Sequence, residues 1–365
     1  MVKRLFTFLL VLALLYMTRP FWADSVSPYI PLDWLDPIDE QVEKFAPKET
    51  FKKYSEWLDE HNGQRVDEEN VAPRIEKNDP LYRQFAIASI EIGMSKQTVH
   101  EKHGAPIRTM DNDYGTKWHA YHTNYYNFFL VAYDEHDIVR ALYTNNDLIT
   151  SATGVHLYSL RPDIRRVLPV PLKEMVKGNT RFILPENAWV DVFELRRTYA
   201  YAFYDIHQND HLTALLLVDR EFEKRKDSLY GKPSKSLRNG YEESLFELTN
   251  AIRVREGVRP LALHEALVYT ARKHSQDMAR RHYFSHDSPE GVSPFDRMAT
   301  DRIRYKRAGE NLAYGQFSSI FAHEGLFNSW DHRVNLLLPQ YTHLAVGVAF
   351  DEEGAPYFTE NFVEK

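Results

Sequence analysis

The residues whose types suit chemistry gather in short runs near the C-terminal end. They read His282-Tyr283-Phe284-Ser285-His286-Asp287-Ser288-Pro289, then Gly309-Glu310-Asn311, then Asn328-Ser329-Trp330-Asp331-His332-Arg333-Val334-Asn335. The chain has no cysteine, which excludes disulfides, thiolate catalysis and cysteine-ligated zinc or iron–sulfur sites. Any metal must be held by His, Asp or Glu. His282 and His286 stand at a spacing that shares a helix face, which invites a zinc reading. Tyr283-Phe284 and the Ser288-Pro289 turn fall where that helix should be ending, so His282 reads as a surface residue. Ser285 and Ser329 each neighbour a histidine, but proximity in sequence does not make a nucleophile–base pair.

Histidines elsewhere offer less. His119 and His122 lie three apart on an expected strand, so their side chains take opposite faces and cannot share an ion. His207 and His211 sit in a polar turn and read as loop residues. His274 falls on the apolar stripe of a helix with Leu267, Ala271 and Met278, which suits a buried, hydrogen-bonded histidine.

The elements around these residues come from pattern and composition. Apolar residues make up 43% and charged residues 27% of 365, so neither disorder nor a polytopic membrane protein fits. That length suits two or three domains. The net charge of −7 is spread along the chain with no dominant basic face, so nucleic acid is a poor partner. An aromatic share of 13% calls for substantial β-structure.

Lys3 and Arg4 precede an apolar run from Leu5 to Met17. As a helix that run spans about 20 Å against ~30 Å of hydrocarbon, closer to a signal-peptide core than to a comfortable span. Residues 1–23 are therefore an export signal or an N-terminal membrane anchor. Bulky Phe21 before Ala23 makes a poor cleavage site and tips the reading towards the anchor. Either way the remainder works outside the cytoplasm. Residues 24–80, rich in Pro, Asp and Glu, form a spacer with a short amphipathic stretch around Phe51, Tyr54 and Leu58.

Residues 81–220 carry a weak internal repeat, each copy a short helix on a small antiparallel sheet. The first copy has an expected strand at Phe85–Ile92 and a helix capped by Ser95 and stopped by Gly104. Strands follow at Trp118–Tyr121, Phe128–Tyr133 and Ile138–Tyr143. The second has a helix capped by Ser159 and strands at Trp189–Leu195, Tyr199–Ile206 and Leu212–Val218. The turns Asp134-Glu135-His136-Asp137 and His207-Gln208-Asn209-Asp210 correspond. Nothing in this region looks catalytic. Residues 221–240, crowded with Lys and Arg, read as a solvated linker. Residues 241–365 form a second domain. It opens with an amphipathic helix from about Tyr241, adds another over about Glu265–Arg281, and ends in strands near Leu344–Ala349 and Tyr357–Phe362.

The His-Ser, Gly-Glu-Asn and His-Arg-x-Asn blocks, in that order from Tyr241 onwards, closely resemble the bacterial branch of the CAP superfamily. That superfamily takes its name from cysteine-rich secretory proteins, antigen 5 and plant pathogenesis-related proteins. The two-copy region resembles the CAP-associated N-terminal module of Gram-positive bacteria. The resemblance implies an α+β chain ending in a three-layer αβα sandwich. It also implies a cleft of two histidines and two acidic residues. His286, Glu310 and His332 match that pattern. The second acidic position, three before the last histidine, is Ser329 here, with Asp331 as a partial substitute.

Two neutral imidazoles, His286 and His332, could bind a divalent ion such as zinc reversibly, and no other cofactor is indicated. Two functions follow from the resemblance. The first is a non-catalytic envelope protein that holds a peptide, lipid or wall fragment in the cleft of His286, Glu310, Ser329 and His332. The second is a metal-dependent hydrolase in which Glu310 activates a metal-bound water. Ser329 in place of an acid, and the lack of a third ligand, weigh against the second.

Overall fold

The computed structural model describes residues 84–365 except 178–179, 185–188 and 227, together with Ile75, Lys77, Asn78 and Pro80. The described residues all fall within one compact unit, Glu68–Lys365. The expected signal or anchor, and all but a few residues of the spacer, lie outside the described residues. Among those described, no helix is long and apolar enough to cross a membrane.

The first copy of the repeat runs β1 (Phe85–Ile87), α1 (Lys96–His103), β2 (Arg108–Asp111), β3 (Lys117–Thr123), β4 (Tyr126–Tyr133), β5 (Val139–Thr144) and β6 (Ile149–Ser151). The second runs α2 (Arg161–Val167), β7 (Glu174–Lys177), β8 (Thr180–Ile183), β9 (Val190–Glu194), β10 (Thr198–Asp205) and β11 (His211–Asp219). Strand β1 is shorter than its apolar run suggests. Ala88 and Ser89 take positive φ, 51° and 60°, and turn the chain so that Ile87 and Ile90 bond each other. Ser95 caps α1 as expected, its hydroxyl accepting from the Thr98 amide. Ser159 does not cap α2. Its hydroxyl accepts from the His156 amide, and the cap position falls to Leu160, which offers no side-chain bond.

The two copies are joined edge to edge. Strand β5 pairs with β11, giving one antiparallel sheet in the order β2-β3-β4-β5-β11-β10-β9, beside the two small sheets β1-β6 and β7-β8. One face of the large sheet is covered by α1 and α2, with Val99, Ile164, Phe129, Leu142 and Leu215 in a common core. Its other face is equally apolar, and that requires a second cover.

The cover comes from the C-terminal part. After the short α3 (Arg220–Glu223) come α4 (Lys235–Arg255), β12 (Ala262–Leu263), α5 (Glu265–Arg281) and α6 (Pro294–Thr300). Then follow β13 (Arg307–Tyr314), α7 (Ser319–Phe327), α8 (Trp330–Leu337), β14 (His343–Phe350) and β15 (Pro356–Glu364). Leu248 and Ala251 of α4, with Ile320 and Phe321 of α7, share one core with Phe128, Tyr143 and Leu216 of the large sheet. Helix α4 also packs against β14, and α5 packs against β14 and β15. The C-terminal sheet, in the order β12-β14-β15-β13, thus has helices on both faces. Gly347 makes one of these contacts possible, because a Cβ there would run into the backbone of Ala271 and Arg272 on α5.

The segment expected to be a solvated linker is folded and largely tied down. Helix α4 begins at Lys235, capped by Ser234, rather than near Tyr241. Lys226 is buried and paired with Asp113 at 2.5 Å, and Glu223 is buried against Lys177 at 2.5 Å. Gly240, which read as a linker residue, lies inside α4 where the helix crosses β2. A Cβ there would collide with the backbone of Asp111.

Candidate functional site

The edge strand β13 organises the site. Neighbouring residues on a strand face opposite sides, so Glu310 and Asn311 look to different faces of the sheet. Register pairs them with Asn361 and Glu360 of β15. On the first side the loop after α5 brings His286. On the other side the joint between α7 and α8 brings Ser329 and His332.

His286 Nδ1 lies 3.0 Å from Glu310 Oε1. Arg297 Nη2 donates to both Glu310 oxygens, at 3.0 and 2.7 Å. Asn361 Nδ2 donates to Oε2 at 2.9 Å. Four donor contacts fill the roughly four acceptor positions of a carboxylate. The Glu310 side chain is only 2% exposed and that of Arg297 11%, so this is a buried ion pair. Burial acts to raise the acid's pKa, but His286, Arg297, the nearby His274 and Asn361 outweigh it and hold the carboxyl below its usual range. Glu310 is therefore ionised, and His286 must carry a proton on Nδ1 to donate to it. That arrangement leaves Nε2 of a half-exposed imidazole turned to other partners.

Arg297 also donates through Nη1 to the carbonyls of His286 and Val292, at 2.8 and 3.1 Å. One side chain thus staples the whole His286–Val292 loop to the sheet edge. Helix α6 aims it. Ser293 and Asp296 form a reciprocal capping box at the start of that helix, which fixes where Arg297 emerges. His274 is buried on α5 and donates from Nε2 to the Ser285 carbonyl at 3.0 Å, bracing the same loop. Burial holds its pKa below the usual value. His282 sits past the end of α5 in the left-handed region, 60% exposed and facing Glu352, so it takes no part.

Across the edge, His332 Nδ1 is 2.7 Å from Ser329 Oγ. The residue that replaces an acid in the implied cleft therefore still orients the imidazole. Asp331 is exposed and acts on His332 only at a distance. Burial lowers the His332 pKa, and His286 lowers it further. The two imidazoles are close enough to oppose each other's charge. Asn311 ties the sides together, donating to the His332 carbonyl at 3.1 Å and to Glu360 at 3.2 Å. Asn335 Nδ2 bonds Asn311 Oδ1 at 3.0 Å. Glu360, fully buried, also accepts from Thr249 at 2.7 Å, and burial pushes its pKa up to about 7.

The donor set does not fit a three-ligand hydrolytic metal centre. Glu310 is consumed by Arg297 and its other partners, and Ser329 is engaged with His332. Among the described residues no group of three or more His, Asp or Glu is placed to hold an ion. Two orientated imidazoles remain.

The residues that sequence reasoning missed are Arg297, Asn361 and Glu360, and beyond them a grip from the N-terminal module. The turn between β10 and β11, Ile206–Asp210, reaches the α7–α8 joint. Ile206 N donates to Asn328 Oδ1 at 3.1 Å, and His207 Nε2 donates to the Asn328 carbonyl at 3.0 Å. His207 packs edge-on against Trp330. Asp205 pairs with buried Arg333 at 2.9 Å. The module therefore braces the turn that carries Ser329 and His332. Asp205→Asn keeps an acceptor for the His207 amide but removes the charge facing Arg333. It is expected to cost about 1.5–3 kcal/mol in urea denaturation, and to increase hydrogen exchange at Ser329–His332 above that of α5. A uniform rise in exchange would show that the turn is not held locally.

Known proteins place the two parts. Residues 92–242 match the family model described as CAP-associated N-terminal, and residues 246–362 match the cysteine-rich secretory protein family. The models meet inside α4, the helix both sheets share. Over 127 residues the chain is 42% identical to the uncharacterized protein YkwD of Bacillus subtilis (strain 168), a match covering 35% of this chain and 48% of that protein. Over 131 residues it is 37% identical to the uncharacterized membrane protein YlbC of the same strain, covering 36% of each. The matches thus span less than half the length of either relative. Among solved structures, an extracellular protein containing a SCP domain from Bacillus anthracis str. Ames superposes with a TM-score of 0.66 at 25% identity. That alignment covers 82% of this chain and 100% of that one. A cysteine-rich secretory protein from Staphylococcus aureus subsp. aureus Mu50 gives 0.61 at 16% identity, covering 79% and 95%, a likeness of fold. The chain thus carries a CAP-associated N-terminal module over residues 92–242 and a CAP domain of the cysteine-rich secretory protein family over residues 246–362.

Proposed function

We propose that this is an extracytoplasmic envelope protein whose CAP domain holds a ligand in the groove between His286 and His332 without transforming it. A peptide, lipid or wall fragment is the class of ligand envisaged, and residues 1–23 would tether or export the protein. The observation that carries the non-catalytic part is the state of Glu310. A general base needs a lone pair within reach of the proton it takes, and each Glu310 oxygen already receives two contacts. An extracellular location of the Bacillus anthracis protein and a membrane location in the name of YlbC support the extracytoplasmic part.

The alternative, a metal-dependent hydrolase, draws on one feature. Both imidazoles have Nδ1 engaged by an orienting partner, which is how metal-binding histidines are usually prepared. Titration calorimetry with Zn²⁺ separates the two readings. We expect wild type and His332→Ala to give the same weak, unsaturated heat. Stoichiometric binding in wild type that disappears in His332→Ala would overturn this expectation and favour the hydrolase.

A further inference from the structure

Two aromatic rings stand out of the CAP domain beside the His286 loop. Phe284 is 49% exposed and Tyr314 44%, and their ring centroids lie 5.9 Å apart. Apolar side chains scattered singly over a surface need no explanation, but a neighbouring pair beside a candidate site does. Both rings are held in place. Tyr314 ends β13 directly opposite Tyr357 of β15, with ring centroids 4.2 Å apart and Tyr357 buried. Phe284 is carried by the loop after α5, and the next two carbonyls of that loop are both fixed, Ser285 by His274 and His286 by Arg297. The fold therefore imposes this exposure, and a ring already held still loses little freedom when it binds.

The polar groups nearby say what such a shelf can take. In the neutral imidazole, His286 gives its Nδ1 proton to Glu310, so Nε2 offers a lone pair. Exposed Asp287 adds acceptor oxygens. The two guanidinium groups bonded to this loop are already engaged with acids, Arg297 with Glu310 and Arg281 with Asp277 and Glu290. An anionic head would thus meet lone pairs, whereas hydroxyl groups would find acceptors. A sugar ring joins hydroxyl donors at its rim to an apolar face, whose weakly positive C–H bonds suit the negative face of an aromatic ring. Tyr314 and Glu310 share one face of β13, four residues and about 13 Å apart. Linked sugars on the shelf therefore reach the end where His286 meets Glu310.

We propose that Phe284 and Tyr314 form a sugar-binding shelf, on which one ring of an oligosaccharide stacks while a hydroxyl of the same chain donates to His286 Nε2. This selects the glycan of a wall fragment as the ligand, and it rests on the reading of the His286 region as a ligand site.

Titration calorimetry on the full chain tests the shelf, with tetra-N-acetylchitotetraose as a neutral sugar oligomer and the tetrapeptide Ala-Glu-Lys-Ala as a peptide probe. Saturable binding of the sugar is expected, and none of the peptide. Phe284→Ala should weaken sugar binding about tenfold, the scale of one lost stacking contact. Phe284→Trp should retain it, and His286→Ala should weaken it severalfold. Phe284 is half exposed, so its variants are expected to fold, and melting temperatures check this. The shelf is overturned if the sugar does not saturate, if Phe284→Ala binds as wild type does, or if the peptide binds more tightly than the sugar. Sedimentation with purified wall sacculi separates this outcome from failure of the groove itself. Retention that is lost in His286→Ala but survives Phe284→Ala removes the shelf and keeps the groove as a ligand site. Retention that survives His286→Ala removes both.

Discussion

Replacing Arg297 by Met should destabilise the protein by about 3–5 kcal/mol at pH 7, the cost of leaving a buried carboxylate without its cation. The guanidinium brings a full positive charge to both oxygens of Glu310, and burial alone would drive that acid's pKa upward. The loss should therefore shrink as pH falls and the orphaned carboxyl takes up a proton. The double variant Arg297→Met with Glu310→Gln should recover much of the loss, because both charges are then gone. Urea denaturation at pH 7 and pH 5 measures all three proteins. A loss below about 1 kcal/mol for Arg297→Met, the level of a surface pair, would mean that the staple contributes little.

A second large effect concerns two buried acids that lie apart from the groove's imidazoles. Glu324 on α7 accepts from Tyr143 of the large sheet at 2.6 Å, and burial pushes its pKa up to about 7. Glu360 behaves the same way beneath Asn311. For a carboxyl whose folded pKa is raised, the destabilisation is absent below the unfolded pKa and grows as pH rises through the folded one. The window is therefore between pH 4.5 and just above 7. Each shift corresponds to about 3 kcal/mol. Buried histidines pull the other way in the same window, because His323 and His119, lowered to about 3 and about 4, must be neutral in the fold. The total pH profile thus mixes opposing contributions. The difference between wild type and Glu324→Gln, or Glu360→Gln, isolates one acid at a time. Each glutamine variant should match wild type near pH 4.5 and exceed it by about 3 kcal/mol at pH 8. A difference that stays constant with pH would show that the carboxyl is ionised in both states.

Much of the candidate site could be read from the chain because its members sit in short, ordered blocks. The Gly-Glu-Asn run, the histidine after Phe284-Ser285 and the Asn328–Asn335 run each carry one contributor. The partners that fix them could not be read in the same way. Arg297 and Asn361 meet Glu310 from a separate helix and a separate strand, and no local period connects those positions. The capping pattern Ser293-Pro294-Phe295-Asp296 was a usable signal, since it sets the start of α6 and hence the origin of Arg297. The linker misreading has an equally specific cause. Gly240 resembles a flexible residue in sequence, but α4 needs it to pass close to Asp111. Charge crowding at 221–240 hid Lys226, which is buried only because Asp113 waits for it. The repeat was legible from its turns. The second turn's grip on the α7–α8 joint could not be read in this way, because those helices meet it only in the fold.

The account rests on Glu310 being a structural anchor rather than a base. Mass spectrometry of purified wall peptides and muropeptides after prolonged incubation with the full chain and Zn²⁺ addresses this most directly. The account predicts unchanged masses for wild type and Glu310→Gln alike. New hydrolysis products from wild type that vanish in Glu310→Gln would contradict it.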